Sequence, residues 1–567
     1  MSSSAPDRIP DRTPGHTPGR SRGRALAAAA LVLIAVLALL WPALLNRAPL
    51  VFQDTAPYVQ GAAAGLEALT GIDTGLGSAR YAPPSETPRT GTSASASPDP
   101  LTNPRAGEAD GNYVVSSARS PWYGGFLLVT VLALGSYGPA VLQGIASALS
   151  VFLAARLFLP PAVATGFTSG ATTGATKGAP SGETTLGGDP LEGAGVLALV
   201  ALASPLAIVA SFMSPDFLTG LAVIALGVLL LADRALGLVG LAFWTLLLLG
   251  ALLGHTSHLV LLAGLVPVGL ILGRLVNGRF AGPGLLAIMG CVLLALAARL
   301  LFLQLVAATY GQAPVQPPFL TARLIADGTG YRYLRETCPE NGFLVCADLD
   351  VMPGAALLAG GELRYNEHFL WSPRAEGGVF RASPPARQAA LAEEQLAFAL
   401  AVLAHDPGGV ILKAFENWGL QLVRFDTSDT WGLPAGHDVF PETPVPGEAR
   451  APPARLDRLS DASLTRAYAL SLALSVIVLL AATVLVGRAV LARRRSAPRP
   501  AGAFSDARAY RLAAFIAFLV LGLLANAAIT GILSLPVPRY QLRVIWLVHL
   551  AAALALIALL RARQRDG

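Results

Sequence analysis

The chain has 567 residues, 54% hydrophobic and only 13% charged, with a formal net charge of +6 and a mean hydropathy of +0.57. Soluble domains carry about 25% charged residues, so this deficit excludes a soluble globular protein and points to a polytopic membrane protein. The basic residues gather at the ends of apolar runs rather than on a polar segment, which argues against nucleic-acid binding.

Residues 1–24 are rich in Ser, Pro and Arg and are expected to be a disordered cytoplasmic segment. The apolar run 25–45 is too long for a signal-peptide core and lacks a small-x-small cleavage site, so it reads as a retained first span. Nine further spans follow, over 137–158, 195–212, 217–232, 235–253, 258–273, 283–308, 467–486, 512–533 and 544–560. The run 122–134 is bracketed by Pro121 and Gly135 and is too short to cross, so it reads as an interfacial or re-entrant helix.

The positive-inside rule tests that choice. With the Arg-rich N-terminus in the cytoplasm, Arg156, Lys177, Arg234, Arg274, Arg279, the Arg488–Arg499 group and Arg561, Arg563 and Arg565 all fall inside. Counting 122–134 as a span would turn the Arg493–Arg495 cluster outward. The expected fold is an all-α polytopic membrane protein of about ten spans plus an interfacial helix, both termini cytoplasmic. A membrane domain over 25–308 would contain a first external loop at 46–136. An external lobe over 309–466 and C-terminal helices over 467–567 would complete it.

The inserts 83–105 and 166–188 are low in complexity and are expected to be flexible. The lobe reads as a small α+β unit: Gly342 to Cys346 as a short buried strand, and 388–425 as an amphipathic helix interrupted near His405 to Gly409. Cys338 and Cys346, eight apart, suit a disulfide in an oxidising compartment, whereas Cys291 sits in an apolar run as packing. Glu367 to Trp371 and Arg424 to Thr427 are expected to pack the lobe on the membrane domain.

This topology collects polar groups on one external face: Asp54, Tyr58, Arg119, Asp216, His255, His258, Arg539 and Tyr540. Polar residues at span ends on a shared face are candidates for function, because burying them without use is costly. Asp54 suits a general base or a ligand for a divalent cation. It also stands where an N-cap stands, with Pro57 in the first turn, so capping is the competing role. Asp216 opens a span in the same way and is Asp54's candidate partner in sharing a metal. External arginines run against the orientation trend; Arg119, Arg539 and Arg543 invite either a phosphate ligand or snorkelling to headgroups. His255 and His258 are spaced to share a helix face. No nucleotide-binding or hydrolase motif is present. Within spans, Gln143, Gln304, Asn526 and His549 are the notable polar residues, too few for an ion-coupled pump.

The order of features resembles the GT-C superfamily of integral-membrane glycosyltransferases over roughly the first half of the chain. One span precedes an acidic residue in the first external loop, Asp54. A Pro-aromatic segment, Arg119-Ser120-Pro121-Trp122-Tyr123, precedes an interfacial helix. A Gln/Ala/Ser-rich face runs from Gln143 to Arg156, and a second external acid, Asp216, opens a later span. The resemblance implies transfer of a sugar from a polyprenyl-phosphate donor to an acceptor at the external face of a bacterial-type inner membrane. Asp54 would be the base or, with Asp216, a ligand for Mg²⁺ or Mn²⁺. Arg119 or Arg539 would hold the donor phosphate, with Tyr58, His255 and His258 lining the substrate site. The partners would be the lipid-linked donor and membrane lipids. Two other readings compete: a transporter or flippase of a lipid-linked saccharide, and a non-catalytic assembly protein.

Overall fold

The structure, a computed structural model, describes residues 18–46, 48–51, 54–77, 116–159, 188–427, 461–495 and 503–566. The insert 83–105, and 166–188 except its last residue, lie outside them, as do residues 1–17, Lys177 and Arg499. Among the described residues there are helices and isolated bridges but no sheet, so the chain is an all-α multi-pass membrane protein.

The membrane domain runs α1 (Pro18–Leu39), α2 (Trp41–Asn46), α3 (Thr55–Thr70), α4 (Pro121–Leu134), α5 (Gly138–Phe158), α6 (Pro190–Ala203), α7 (Leu206–Ser211), α8 (Phe217–Leu231), α9 (Leu238–Gly254), α10 (Ser257–Asn277) and α11 (Pro283–Tyr310). The lobe follows as α12 (Phe319–Ala326), α13 (Thr329–Thr337), α14 (Gly354–Leu358), α15 (Tyr365–Trp371), α16 (Pro385–Glu393), α17 (Gln395–His405) and α18 (Pro407–Val423). The chain closes with α19 (Asp461–Arg495), α20 (Ala503–Leu533) and α21 (Pro538–Asp566).

Six described helices are long and apolar enough to cross a membrane: α5, α10, α11, α19, α20 and α21. The ten-span expectation is not met by length. Its first span is broken between α1 and α2, and its third divides at Ser204-Pro205 into α6 and α7, because proline withholds a backbone donor there. Helices α8 and α9 have 15 and 17 residues, below the roughly 20 that span a bilayer. The run expected to be interfacial is α4, only 14 residues long and stopped by Gly135 at positive φ.

Helix α8 is apolar all round, and every one of its residues is buried, as expected of a helix at the centre of a bundle. Gly227 makes that centre tight: a Cβ there would lie 2.8 Å from a Phe515 ring carbon of α20. Phe515 in turn stacks on Phe158 of α5 with ring centroids 3.8 Å apart.

The expected α+β lobe is helical. The strand predicted at Gly342 to Cys346 is instead the start of a 3₁₀-helix, Leu344–Val351. A short apolar run reads alike as a buried strand or a buried turn of helix; among the described residues no neighbouring strand takes its hydrogen bonds. Cys338 and Cys346 form a disulfide, Cα atoms 5.7 Å apart. Buried Asp348 meets Arg374 and Arg387, each at 2.7 Å, a charge cluster that fixes the 3₁₀-helix against the start of α16.

The helical break near His405 holds: α17 and α18 meet at 109°, where Asp406 caps Gly409. Helix α18 packs on α20, burying Asn417 and Gln421, while Ile411, Phe415 and Val423 are exposed at a four-residue repeat, an apolar stripe suited to lipid. Arg424 donates to the Pro536 carbonyl at 2.7 Å, and Gln421 both donates to and accepts from Val537. The lobe is thus clamped to the turn between α20 and α21.

Candidate functional site

Two segments far apart in sequence are laid side by side at the lobe end of the bundle. Leu50 and Phe212 form a parallel bridge, with Leu50 N–H donating to Ser211 and Met213 N–H to Leu50. The Thr55 hydroxyl adds a bond to the Met213 carbonyl at 2.9 Å. Asp54 and Asp216 each stand four residues beyond the bridge, at the heads of α3 and α8. This juxtaposition requires the chain to return across roughly 160 residues, so no local pattern announces it.

Neither carboxylate caps its helix: both residues have helical backbone angles, and neither side chain accepts a cap hydrogen bond. Each faces an arginine instead. Arg119 Nη2 reaches Asp54 Oδ1 at 2.5 Å, and Arg543 Nη1 reaches Asp216 Oδ1 at 2.5 Å. The capping role that competed with function for Asp54 is therefore not the one its side chain fills.

The two pairs differ in access. Side-chain exposure is 33% at Asp54 and 29% at Arg119, against 9% at Asp216 and 2% at Arg543, so only the first pair can meet a ligand directly. Asp216 is further held by the Ser214 hydroxyl at 3.0 Å, and Arg543 by the Asn526 carbonyl oxygen at 2.9 and 3.1 Å. Burial pushes the Asp216 carboxyl up, but the Arg543 and Arg539 charges and His255 outweigh it and hold it down at about 2. It is an anion at every physiological pH.

The first two turns of α21 bring Arg539, Tyr540 and Arg543. Two guanidinium groups, of Arg539 and Arg543, each lie 4.9 Å from the Tyr540 ring centroid, and the Tyr540 hydroxyl accepts from Arg539 Nη2 at 3.2 Å. Tyr58 is buried at the join between α3 and α4, its ring edge-on to Tyr123 at 5.3 Å. Burial pushes the Tyr58 phenol well above its ordinary value; Asp54 and Asp216 add to the push, while Arg119 and Arg539 oppose it. One phenol thus feels four of the residues singled out from sequence.

The histidines separate in role. His258 is buried, with Nε2 at 2.8 Å from the Thr219 hydroxyl and Nδ1 at 2.6 Å from the Ala251 carbonyl. Both ring nitrogens are occupied, and it joins α8, α9 and α10. His255 is half-buried, engages Ser257 through Nδ1, and lines a cleft. Burial and then the Arg543 charge push its imidazole down to about 4, against partial opposition from Asp216. A histidine with a depressed pKa binds its proton more weakly in the folded state than in the unfolded state. Stability therefore falls as pH drops from 6.5 towards 4. Thermal midpoints measured across that range should decline in the natural chain, and His255→Gln should flatten the decline. An unchanged slope would remove His255 from the acid response.

The cleft lies beside Asp54's partner, between Ser117 to Trp122 on one side and the facing surfaces of α9 and α11, with a volume of about 40 Å³. Its lining includes Arg119, His255 and Arg299 together with the apolar side chains of Leu252, Phe302 and Leu303. The lobe touches the site at Arg119: the Trp371 ring of α15 sits 5.8 Å from its guanidinium, a cation–π contact that brings the Glu367 to Trp371 segment beside it.

Of the residues expected from sequence, Asp54, Tyr58, Arg119, Asp216, His255 and Arg539 are brought to one region, and His258 supports it from behind. The reading missed Arg299 and the roles of Asn526, Arg543 and Trp371. Arg299 carried a signal, since it is a charged residue inside a predicted span. Asn526 stood out as a polar span residue, but its partner could not be known. Gln143 has a positioning role, accepting from the Tyr123 hydroxyl at 2.8 Å and donating to the Ala210 and Phe212 carbonyls.

The charge balance favours an anion. Asp54 pairs with Arg119 and Asp216 with Arg543, Arg539 adds a further positive charge near Asp216, and Arg299 lines the cleft beside Arg119. Among the described residues, no three His, Cys, Asp or Glu side chains gather as a metal site. Compared with protein-family models, with curated proteins and with solved structures, the chain matches none of them.

Proposed function

We propose that the chain is a glycosyltransferase that moves a sugar from a polyprenyl-phosphate donor to an acceptor at the lobe face of the membrane. The observation that carries this reading is the convergence of an accessible carboxylate, Asp54, with several guanidinium groups beside a cleft that is also lined by apolar side chains. A lipid-linked sugar phosphate has those three parts: a reacting centre, an anion and a hydrocarbon tail.

The donor phosphate competes with Asp54 for the Arg119 guanidinium, whose planar fork suits either anion. Its arrival frees Asp54 to take the proton of the acceptor hydroxyl. The acceptor oxygen then attacks the anomeric carbon as the bond from that carbon to the phosphate oxygen breaks. The electron pair leaves on the polyprenyl phosphate, whose charge Arg119 and Arg539 stabilise. Asp216, sealed on Arg543, orients the α21 arginines rather than touching substrate. No step is assigned to a divalent cation: each carboxylate already meets a guanidinium, and a cation would add to a positive excess.

This reading carries the finer topology with it. Ten segments would pass through the membrane, the short α8 and α9 and the broken α1–α2 and α6–α7 among them, with both termini in the cytoplasm and the lobe outside. The disulfide supports an oxidising compartment for the lobe. The test is sugar transfer by the purified chain, supplied with polyprenyl-phosphate-linked sugars and cell-envelope acceptors. Product should form, and Asp54→Asn should slow its formation by about 10²–10⁴-fold. Absence of transfer from every lipid-linked donor, by protein that is folded, would overturn the assignment.

A further inference from the structure

A second charged cluster lies at the end of the bundle opposite the lobe. Asp216 stands at the head of α8 and Asp233 just past its last residue, about 25 Å further along at 1.5 Å per residue. The Asp233 carboxylate is buried and already satisfied: Arg279 Nη2 reaches Oδ1 at 2.9 Å, and the Gly282 N–H donates to Oδ2 at 3.1 Å. Helix α20, which packs against α8 and α10, adds Arg511 beside this pair and Arg508 one turn earlier on the same side of the helix. Arg511 feels the charges of Arg508, Arg279 and Asp233. Its Nε is sealed from solvent without a hydrogen-bond partner, and among the described residues no carboxylate pairs with Arg508 or Arg511. Arg279 is neutralised by Asp233, so the charges of the two α20 arginines are uncompensated.

The level of the cluster decides what kind of anion meets it. Three of the helices long enough to cross a membrane have an end here: α10 closes at Asn277, α11 opens at Pro283, and the apolar stretch of α20 opens at Arg508. Tyr510, between the two arginines, is 55% exposed, as suits a tyrosine at a membrane–water boundary, and Phe280, next to Arg279, is exposed as well. Arginines at that boundary meet lipid headgroups, and basic pockets between helix ends favour anionic ones.

We propose that Arg508 and Arg511 hold the headgroup phosphate of an anionic phospholipid at this end of the bundle. The guanidinium groups supply N–H donors to the phosphate oxygens. Their two surplus charges repel the trimethylammonium of a choline headgroup and leave an uncharged glycerol headgroup undisturbed. The bound phosphate ties the start of α20 to the turn between α10 and α11, where Arg279 and Asp233 meet. No part of this site depends on sugar transfer at the lobe end.

The test is equilibrium titration of the purified, delipidated full chain with phosphatidylglycerol and phosphatidylcholine, followed by native mass spectrometry. Phosphatidylglycerol should be preferred at least about tenfold, since each arginine near an anionic headgroup is worth roughly a factor of five. Arg508→Gln with Arg511→Gln should bring the preference below about twofold. Arg508→Gln alone, at an exposed position, should fall between, and it serves where the double variant does not fold. Arg563→Gln, an exposed arginine at the far end of α21, should leave the preference unchanged. Excess inorganic phosphate should leave the lipid bound. Equal binding of the two lipids, or a preference that survives the α20 variants, overturns the site. An equal loss in Arg563→Gln would replace it with a diffuse positive surface, and displacement by inorganic phosphate with a seat for a soluble anion.

Discussion

Asp54→Asn should cut sugar transfer by about 10²–10⁴-fold, the range that a positioned general base supplies, with the yield of folded protein unchanged. The substitution is nearly isosteric, and the new amide oxygen can still accept from Arg119, so the 2.5 Å contact that seats both side chains has a neutral replacement. What the amide cannot do is take a proton. The loss should appear in kcat more than in KM, since Asp54 acts on the acceptor in the transition state while the donor phosphate is held by arginines. Arg119→Gln gives the contrasting pattern: the base survives and donor binding weakens. Full activity in Asp54→Asn would show that the carboxylate serves the fold or the electrostatics of Arg119, and the mechanism would fail.

The largest stability effect is expected at the buried pair. Arg543→Met should destabilise the bundle by about 3–5 kcal/mol, because it leaves an uncompensated carboxylate in a dry site. Asp216 is 7% exposed; without Arg543 the hydrogen bond left to its side chain among the described residues is the one from Ser214, and the Arg539 charge offsets only part of the loss. The Asn526 oxygen would lose two donors at once. Asp216→Asn combined with Arg543→Met removes both charges, and it should recover much of the loss, since replacing a whole buried pair is often close to neutral. Thermal midpoints of the single and double variants in detergent decide the matter. If the double variant is as unstable as Arg543→Met alone, the pair is held for packing and not for charge compensation. A double variant that is stable yet slow in sugar transfer would place Asp216 and Arg543 as positioning residues for Arg539 and Tyr540.

The acid end of the pH scale offers an internal check. Asp216, held at about 2, keeps its contribution down to low pH and loses it only as the carboxyl protonates between its ordinary 3.8 and that value. His255 acts earlier, below 6.5. The two responses are separated in pH, so they can be told apart in one titration.

Hydropathy carried much of the fold, since length and apolarity identify α5, α10, α11, α19, α20 and α21 without a structure, and Pro121 with Gly135 delimited α4. The lobe was misread at Gly342 to Cys346, where a short apolar segment has no periodicity long enough to separate strand from helix. The site was legible as a set of residues and not as a set of pairs. Asp54, Arg119, Asp216 and Arg539 each stood at a span end, where cost argues for use. Which carboxylate took which arginine depended on the Leu50–Phe212 bridge and on how α21 approaches α8, contacts between segments more than 150 residues apart.

The sequence by itself determined that this is an all-α membrane protein, where its long apolar helices lie, and that polar residues at their ends form a candidate surface, because burial of charge in hydrocarbon is so costly that composition alone reports it. Only the tertiary structure decided that Asp54 is the reachable carboxylate and Asp216 the sealed one, and that Arg299 opens onto the same cleft as Arg119. Access and pairing are properties of the assembled packing, and nothing local in the chain encodes them.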